Sequence, residues 1–449
     1  MASIPSRSAL RAWFQCSEPG CEDQQYPLNE VVFRCKRCGG LLEVQHDTAA
    51  LATASADDWR VALDSRLGHK APCGSGVWAH HEWIAPNVSP DNIVSFAEGG
   101  TALQPMGRFA EQVGVPAIWL KQCGVTHTGS FKDLGLTVLV SQVKQMLAEG
   151  VPIRAVACAS TGDTSAALAA YAAAAGIPAV VFLPKGKISV PQLIQPIANG
   201  AKVLALDTDF DGCMEIVQQL TADGSLYLAN SLNSLRIEGQ KTVAFEIIRQ
   251  LDWQVPDWIV IPGGNLGNVS ALGRGLDLLR GLGLIDRLPR IAVAQSAMAN
   301  PLYLSYLKDF AVFEPVEAQA TAASAIRIGN PVSIKRAVRT LQATHGVVEQ
   351  ANEEELANAA AWADQSGFFI DPHTGVALAA MIKLVAKGLI ERDHRVVVVS
   401  TASGLKFPDW KVDYHLSRLD GVVSQHANPP LELPATVDAA RAALDRVLA

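Results

Sequence analysis

The sequence predicts an α/β protein built on doubly wound parallel sheets, and three observations carry that prediction. From about residue 115 onward, short β-branched runs alternate with longer helical patterns. The runs WIVI (258–261) and VVVV (396–399) are apolar throughout, as expected of parallel strands covered on both faces. Several of the strand-like runs are followed at once by loops rich in Gly, Ser, Thr and Asn, where open α/β sheets bind their ligands.

The strand candidates, in order, are 117–121 (AIWLK), 155–158 (AVAC), 180–183 (VVFL), 203–206 (VLAL), 258–261, 291–294 (IAVA) and 396–399. Helical patterns fall at 134–149, 164–175, 238–251 and 353–365. The apolar run 166–183 (AALAAYAAAAGIPAVVFL) approaches the ~20 residues of a membrane helix. Gly176 and Pro178 interrupt it, so it reads as a buried helix, a turn and a strand. The first 93 residues differ, being rich in Cys, Trp, Pro and His with no βαβ rhythm. The expected division is an N-terminal region (1–93), a large α/β domain (94–138 and 230–415), a small one (139–229), and a packed C-terminal appendage (416–449).

Composition narrows the class. The 449 residues suffice for two or three domains, and 49% hydrophobic with 18% charged residues excludes disorder and collagen. A net charge of -7 argues against non-specific binding to nucleic acid or an anionic membrane. The opening MASIPSRSAL lacks the apolar core of a secretion signal, so a cytoplasmic location is expected.

Four loops carry candidate chemistry. In THTGSFKDLG (126–135), Gly129 and Ser130 permit a tight turn, Phe131 offers an aromatic wall, and Lys132 points into the cleft beyond the strand ends. A lysine whose amine is made neutral by burial attacks carbonyl cofactors. STGDTS (160–165) caps a helix well, and the same helix N-terminus suits a carboxylate or phosphate. PGGNLGN (262–268) is a structural turn or a cradle of backbone N–H groups for a phosphate. It matches neither GxGxxG nor GxxxxGK[ST], so nicotinamide nucleotides and ATP are not indicated. In STASGLKF (400–407), Thr401 serves a turn or meets a ring nitrogen.

These loops, in this order, resemble the fold type II enzymes dependent on pyridoxal 5'-phosphate (PLP), and more narrowly the plant-type threonine synthases. The resemblance runs through HTGSFKDLG (127–135), CASTGDTSAAL (158–168), KISVPQLIQPIANGA (187–201), DTDFDGCM (207–214), YLANSLNSLRIEGQKT (227–242), DWQVPDWIVIPGGNLGN (252–268), NPLYL (300–304) and VVVSTASGLKF (397–407). It covers roughly residues 85–430 and touches GGLLEVQHD (39–47) and GSGVW (74–78). It implies that Lys132 holds PLP and moves protons between substrate carbons, and that Gly263, Gly264, Asn265, Leu266, Gly267 and Asn268 bind the cofactor phosphate. It further implies Asp163 near the 3'-oxygen, Thr401 at the pyridine nitrogen and Phe131 beside the ring. The substrate carboxylate is expected at Ser160 and Thr161, and its phosphate at Thr164, Ser231, Arg236 and Asn265. Arg236 suits a phosphate dianion because a guanidinium is planar and always charged. The implied reaction converts O-phospho-L-homoserine and water to L-threonine and phosphate, in a homodimer. A relative acting on another phosphorylated amino acid, such as a cysteate synthase, shares most of these residues, and a binding module with a degenerate enzyme body is the reading from another class.

Four of the eight cysteines cluster as Cys16-x4-Cys21-x13-Cys35-x2-Cys38. In a chain read as cytoplasmic such spacing points to a structural Zn2+ in a ribbon-like knuckle, or to free thiols. Cys73, Cys123, Cys158 and Cys213 are scattered.

Overall fold

The computed structural model describes residues 4–66, 69–70, 72–186 and 190–448; residues 187–189, which open the KISVPQ motif, lie outside them. Strands β1 (Ala12–Cys16), β2 (Gln25–Pro27) and β3 (Leu42–His46) form a small antiparallel sheet ordered β2-β1-β3. Next come β4 (Leu103–Pro105) and β5 (Ile118–Gln122), then β6 (Ala155–Ala159), β7 (Ala179–Pro184), β8 (Lys202–Leu206) and β9 (Leu226–Leu228). The last strands are β10 (Trp258–Pro262), β11 (Arg290–Ser296), β12 (Val347–Ala351) and β13 (Val396–Ser400). Two sheets result, ordered β12-β11-β10-β13-β5-β4 and β8-β7-β6-β9, and every pairing in them is parallel except that of β4 with β5.

The uniformly apolar runs behave as their composition requires. Residues of β6, β10 and β13 are buried along their whole length, with helices on either side of each sheet. The run 166–183 divides as expected, into the helix Asp163–Ala175, a left-handed Gly176 and β7. No helix among the described residues is long and apolar enough to cross a membrane.

Three boundaries differ from the sequence reading. The helix expected from 134 begins at Lys132, which puts the lysine on its first turn. The helix expected over 238–251 breaks at Lys241 into Leu235–Gln240 and Thr242–Gln250. The C-terminal tail is held as far as Asn428: Asn358 bonds Val423 and Gln425, Trp362 stacks on His426 and Asn428 N donates to His415 Nδ1 at 3.1 Å. Beyond it the chain is exposed, and the helix Val437–Val447 buries only Ala443, so the expected packed appendage is corrected to a short packed stretch and an exposed end. Its larger apolar residues, Val437, Leu444, Val447 and Leu448, are exposed.

One helix contact sets the position of the site. The helices Lys132–Ala148 and Leu235–Gln240 approach so closely that a Cβ on Gly239 would lie 1.7 Å from the Leu134 carbonyl oxygen, and one on Gly135 would lie 2.7 Å from that of Arg236. Only glycine allows backbones this near. Gly239→Ala therefore forces the helices apart and is expected to cost about 1–3 kcal/mol by overpacking. Gly281→Ala, whose Cβ meets nothing within 4 Å, is the control. Thermal unfolding checks this: equal midpoints for the two variants would remove the glycine contact as a determinant.

Candidate active site

Each candidate loop leaves the C-terminal end of a parallel strand, and hydrogen bonds tie neighbouring loops together. In the Lys132 loop, Thr128 Oγ1 and N donate to the Asp133 carboxylate at 2.5 and 2.8 Å, and Gly129 takes φ +81°. That loop is stitched to the one after β13: Phe131 N donates to the Thr401 carbonyl at 2.9 Å, and Ser403 N to that of Gly129 at 2.9 Å. After β6, Asn230 clasps Ala159 by accepting from its N–H at 2.9 Å and donating to its carbonyl at 2.8 Å, which joins STGDTS to the ANS segment after β9.

Lys132 Nζ sits 3.7 Å from the centre of the Phe131 ring. Loss of hydration and, next, the positive charge of Arg236 lower its pKa to about 7, which is the condition a lysine nucleophile needs at neutral pH. Arg236 is buried; its Nη1 donates to the Ala229 carbonyl at 3.1 Å, its Nη2 donates to Thr164 Oγ1 at 3.2 Å, and its Nε has no partner. Burial lowers its pKa to about 10, and no carboxylate faces it among the described residues. An unpaired buried guanidinium is costly, so this geometry suits an incoming anion.

The glycine-rich loop fits a phosphate. A Cβ on Gly263 would lie 2.5 Å from Val293 and one on Gly264 2.7 Å from the Ile326 Cα, so the backbone is bare where it turns. Leu266 adopts φ +63° with its side chain in the core, and the helix Gly267–Gly281 begins beside it with first-turn amides that have no intrahelical carbonyl. Asn265 is engaged by Val332 N and Ser333 N at its side chain and carbonyl, while Asn268 Nδ2 donates to the Pro262 carbonyl. Phe131, Asn268 and Thr401 line one small cavity together with Cys123 and Gln240.

The structure therefore brings together Lys132, Phe131, Arg236, Thr164, Thr401 and Asn268. Ser160 Oγ accepts from Gly162 N and Ser165 N at 3.3 Å, fixing its own helix start. Thr161 and Ser231 are half-buried. Asp163 is paired with Lys406 at 2.6 Å, and Lys406 also donates to the Thr128 carbonyl at 3.1 Å. Lys406 stands inside STASGLKF, where the sequence pattern alone gives it no role. Ser333, whose buried Oγ is unpartnered and faces Gly267, carried no sequence signal at all. The four clustered cysteines lie far from these loops in sequence, at the edge of the small antiparallel sheet.

A lysine amine whose pKa is lowered to about 7, a buried guanidinium that faces no carboxylate among the described residues and a bare-backbone loop at the ends of parallel strands suit an enzyme that takes a phosphorylated carbonyl cofactor. The sequence profile of the family described as "Pyridoxal-phosphate dependent enzyme" matches residues 94–402. "Threonine synthase 2, chloroplastic" of Arabidopsis thaliana is 54% identical over 420 residues, covering 93% of this chain and 81% of that one. The threonine synthase of Methanocaldococcus jannaschii is 38% identical over 385 residues, covering 86% and 91%. The crystal structure of Escherichia coli threonine synthase superposes with a TM-score of 0.67 at 21% identity, over 97% of this chain and all of that one, which speaks to the fold. The chain belongs to the pyridoxal-phosphate dependent enzymes, and among them to the threonine synthase family.

Because burial holds Lys132 near pKa 7, its amine is mostly charged at pH 6 and mostly neutral at pH 8. PLP capture by cofactor-free protein is expected to accelerate as pH rises through about 7. Stopped-flow absorbance of the bound cofactor reads it; a midpoint near 10, the value of an ordinary lysine, would contradict the account.

Proposed function

We propose that this protein is a threonine synthase that converts O-phospho-L-homoserine and water to L-threonine and inorganic phosphate. The observation that carries the reading is the buried Arg236 guanidinium, which faces no carboxylate among the described residues and stands beside both Thr164 and Lys132. A simple hydroxyamino-acid dehydratase has no use for such a cation. A phosphate-eliminating enzyme does.

In this reading, bound PLP supplies the conjugated system into which charge on the substrate carbons is delocalised. Lys132 is the residue whose Nζ would hold PLP through its carbonyl carbon. Its amine when free, about half neutral at pH 7, would accept protons from Cα and Cβ, return one at Cγ after phosphate has left and return the other at Cα once water has added its hydroxyl at Cβ. Arg236, with Thr164, Ser231 and Asn265, holds the departing phosphate through charge-assisted hydrogen bonds. Ser160 and Thr161 orient the carboxylate at the start of the helix Asp163–Ala175. Gly263, Gly264, Leu266, Gly267 and Asn268 would hold the cofactor phosphate, Phe131 would lie beside its ring, Thr401 would meet the pyridine nitrogen and Asp163 the 3'-oxygen. Residues 94–138 with 230–415 act as the cofactor-binding body, and 139–229 as the smaller unit. A homodimer belongs to the same reading through the family resemblance. None of the eight cysteines is in a disulfide, which supports a reducing compartment, taken here as the cytoplasm.

The decisive assay incubates purified protein, PLP and O-phospho-L-homoserine and measures threonine and phosphate, with O-phospho-L-serine plus sulfite alongside. Equimolar threonine and phosphate are expected; product only in the second mixture would reassign the substrate. Lys132→Ala is expected to lose both turnover and the visible absorbance of the covalently held cofactor. Arg236→Ala is expected to keep that absorbance but lose roughly a hundredfold in kcat/KM, the ~3 kcal/mol typical of removing one partner of a buried charge pair. Unchanged kinetics in Arg236→Ala would take the residue out of the site.

A further inference from the structure

The N-terminal sheet carries chemistry that the reaction does not use. Cys16 ends β1, Cys21 lies in the turn before β2, and Cys35 and Cys38 flank the turn that leads into β3. The four Sγ atoms lie within 4.8 Å of one another, with Cys16 and Cys38 3.5 Å apart and Cys21 and Cys35 3.6 Å apart. Four thiolates each ~2.3 Å from one Zn2+ at tetrahedral angles would be about 3.8 Å apart, which this cluster matches. Disulfides need sulfurs in bonded pairs at about 2.05 Å, a grouping in twos that four mutually close atoms do not require.

The surrounding donors fit thiolates as well. Gly40 N donates to Cys38 Sγ at 3.4 Å, Arg37 Nε to Cys21 Sγ at 3.2 Å, and the Tyr26 hydroxyl lies 3.5 Å from Cys35 Sγ. Within the knuckle, Cys35 N donates to the Gly40 carbonyl and Gly39 N to that of Cys35, with Gly39 at φ +70°, so the backbone curls around the two sulfurs. Four thiolates and one divalent ion leave a net charge of -2, which the Arg37 guanidinium partly offsets.

We propose that Cys16, Cys21, Cys35 and Cys38 bind one structural Zn2+ with four thiolate ligands and no open position, and that this ion fixes the strand bracing the glycine-rich loop from behind. That strand is β3. Leu42 pairs with Cys16, and its carbonyl accepts from Arg336 Nη2 at 2.5 Å. Glu43 pairs with Arg274 at 3.0 Å, Arg336 at 3.1 Å and Arg339 at 2.5 Å. Arg274 lies on the helix that starts at the glycine-rich loop, and Arg336 on the helix preceded by Ser333, whose N–H donates to the Asn265 carbonyl at 3.1 Å. Nearer the ion, Glu18 pairs with Lys335 at 2.5 Å. The metal claim stands whatever the substrate proves to be.

The test uses the full-length holoenzyme, purified without a metal-affinity tag. Elemental analysis is expected to give one zinc per chain, released in step with modification of four thiols by a mercurial. Protein grown with Co2+ is expected to show thiolate-to-cobalt charge-transfer absorption and the intense visible bands of a tetrahedral site. Cys38→Ser is expected to lose most of the metal, whereas Cys73→Ser, at an exposed cysteine away from the cluster, keeps one equivalent. Folded wild-type protein with no zinc and no cobalt spectrum, or with two disulfides by mass, overturns the site; this holds even where Cys38→Ser fails to fold. Hydrogen exchange after zinc removal is expected to rise in Leu42–His46 and Ile334–Ala343, and unchanged exchange there overturns the bracing role.

Discussion

A buried guanidinium that faces no carboxylate among the described residues, that of Arg236, is the constraint on which the rest of the structure depends. Taking Arg236 out of water costs several kcal/mol, and a carbonyl and a hydroxyl compensate only in part. The fold nonetheless fixes the group firmly. The Ala229 carbonyl that accepts from it lies next to Asn230, which clasps the end of β6, and its helix is pressed at Gly239 against the helix that carries Lys132. Two parallel sheets deliver loops from their C-terminal ends to one place, and these glycine contacts set the distance between the two basic groups.

The same short helix shows that the fold pairs buried charge where no ligand is needed. Two residues on from Arg236, Glu238 is buried and meets His46 at 2.6 Å and also Lys241. Those neighbours hold its carboxyl down to about pKa 2 despite burial. Glu43 is likewise surrounded by three arginines. On the face toward β3 the charges are matched. On the face toward Lys132, Arg236 meets no carboxylate among the described residues, and the contrast supports the proposed anion site there.

What the sequence disclosed follows from the range of the interactions concerned. Strands covered on both faces need apolar residues at every position, so WIVI and VVVV announced themselves, as did the left-handed stop at Gly176. The loops were legible because bare backbone and capping side chains are local requirements. The break at Lys241 was not, since it arises where that residue turns to meet Glu238 and His46, the latter 195 residues away. Lys406 on Asp163 and Ser333 behind Gly267 are contacts across the fold, and no periodicity encodes them. The helix near the C-terminus has an amphipathic pattern that predicts packing, but a pattern cannot supply the surface to pack against.

The electrostatics of the two basic groups also tie binding to chemistry. With Arg236 nearby, Lys132 is held near pKa 7 and its amine is neutral enough to attack a carbonyl. A dianion on Arg236 would offset the charge that depresses the lysine and so make it a stronger base, in a place where low dielectric magnifies the change. In the proposed reading, a phosphate on Arg236 would thereby raise the pKa of the amine that receives the substrate protons, coupling substrate binding to proton transfer through one charge. An uncharged analogue of similar shape would reach the lysine without that gain, and selectivity for the phosphate would appear in the rate of proton removal as well as in affinity.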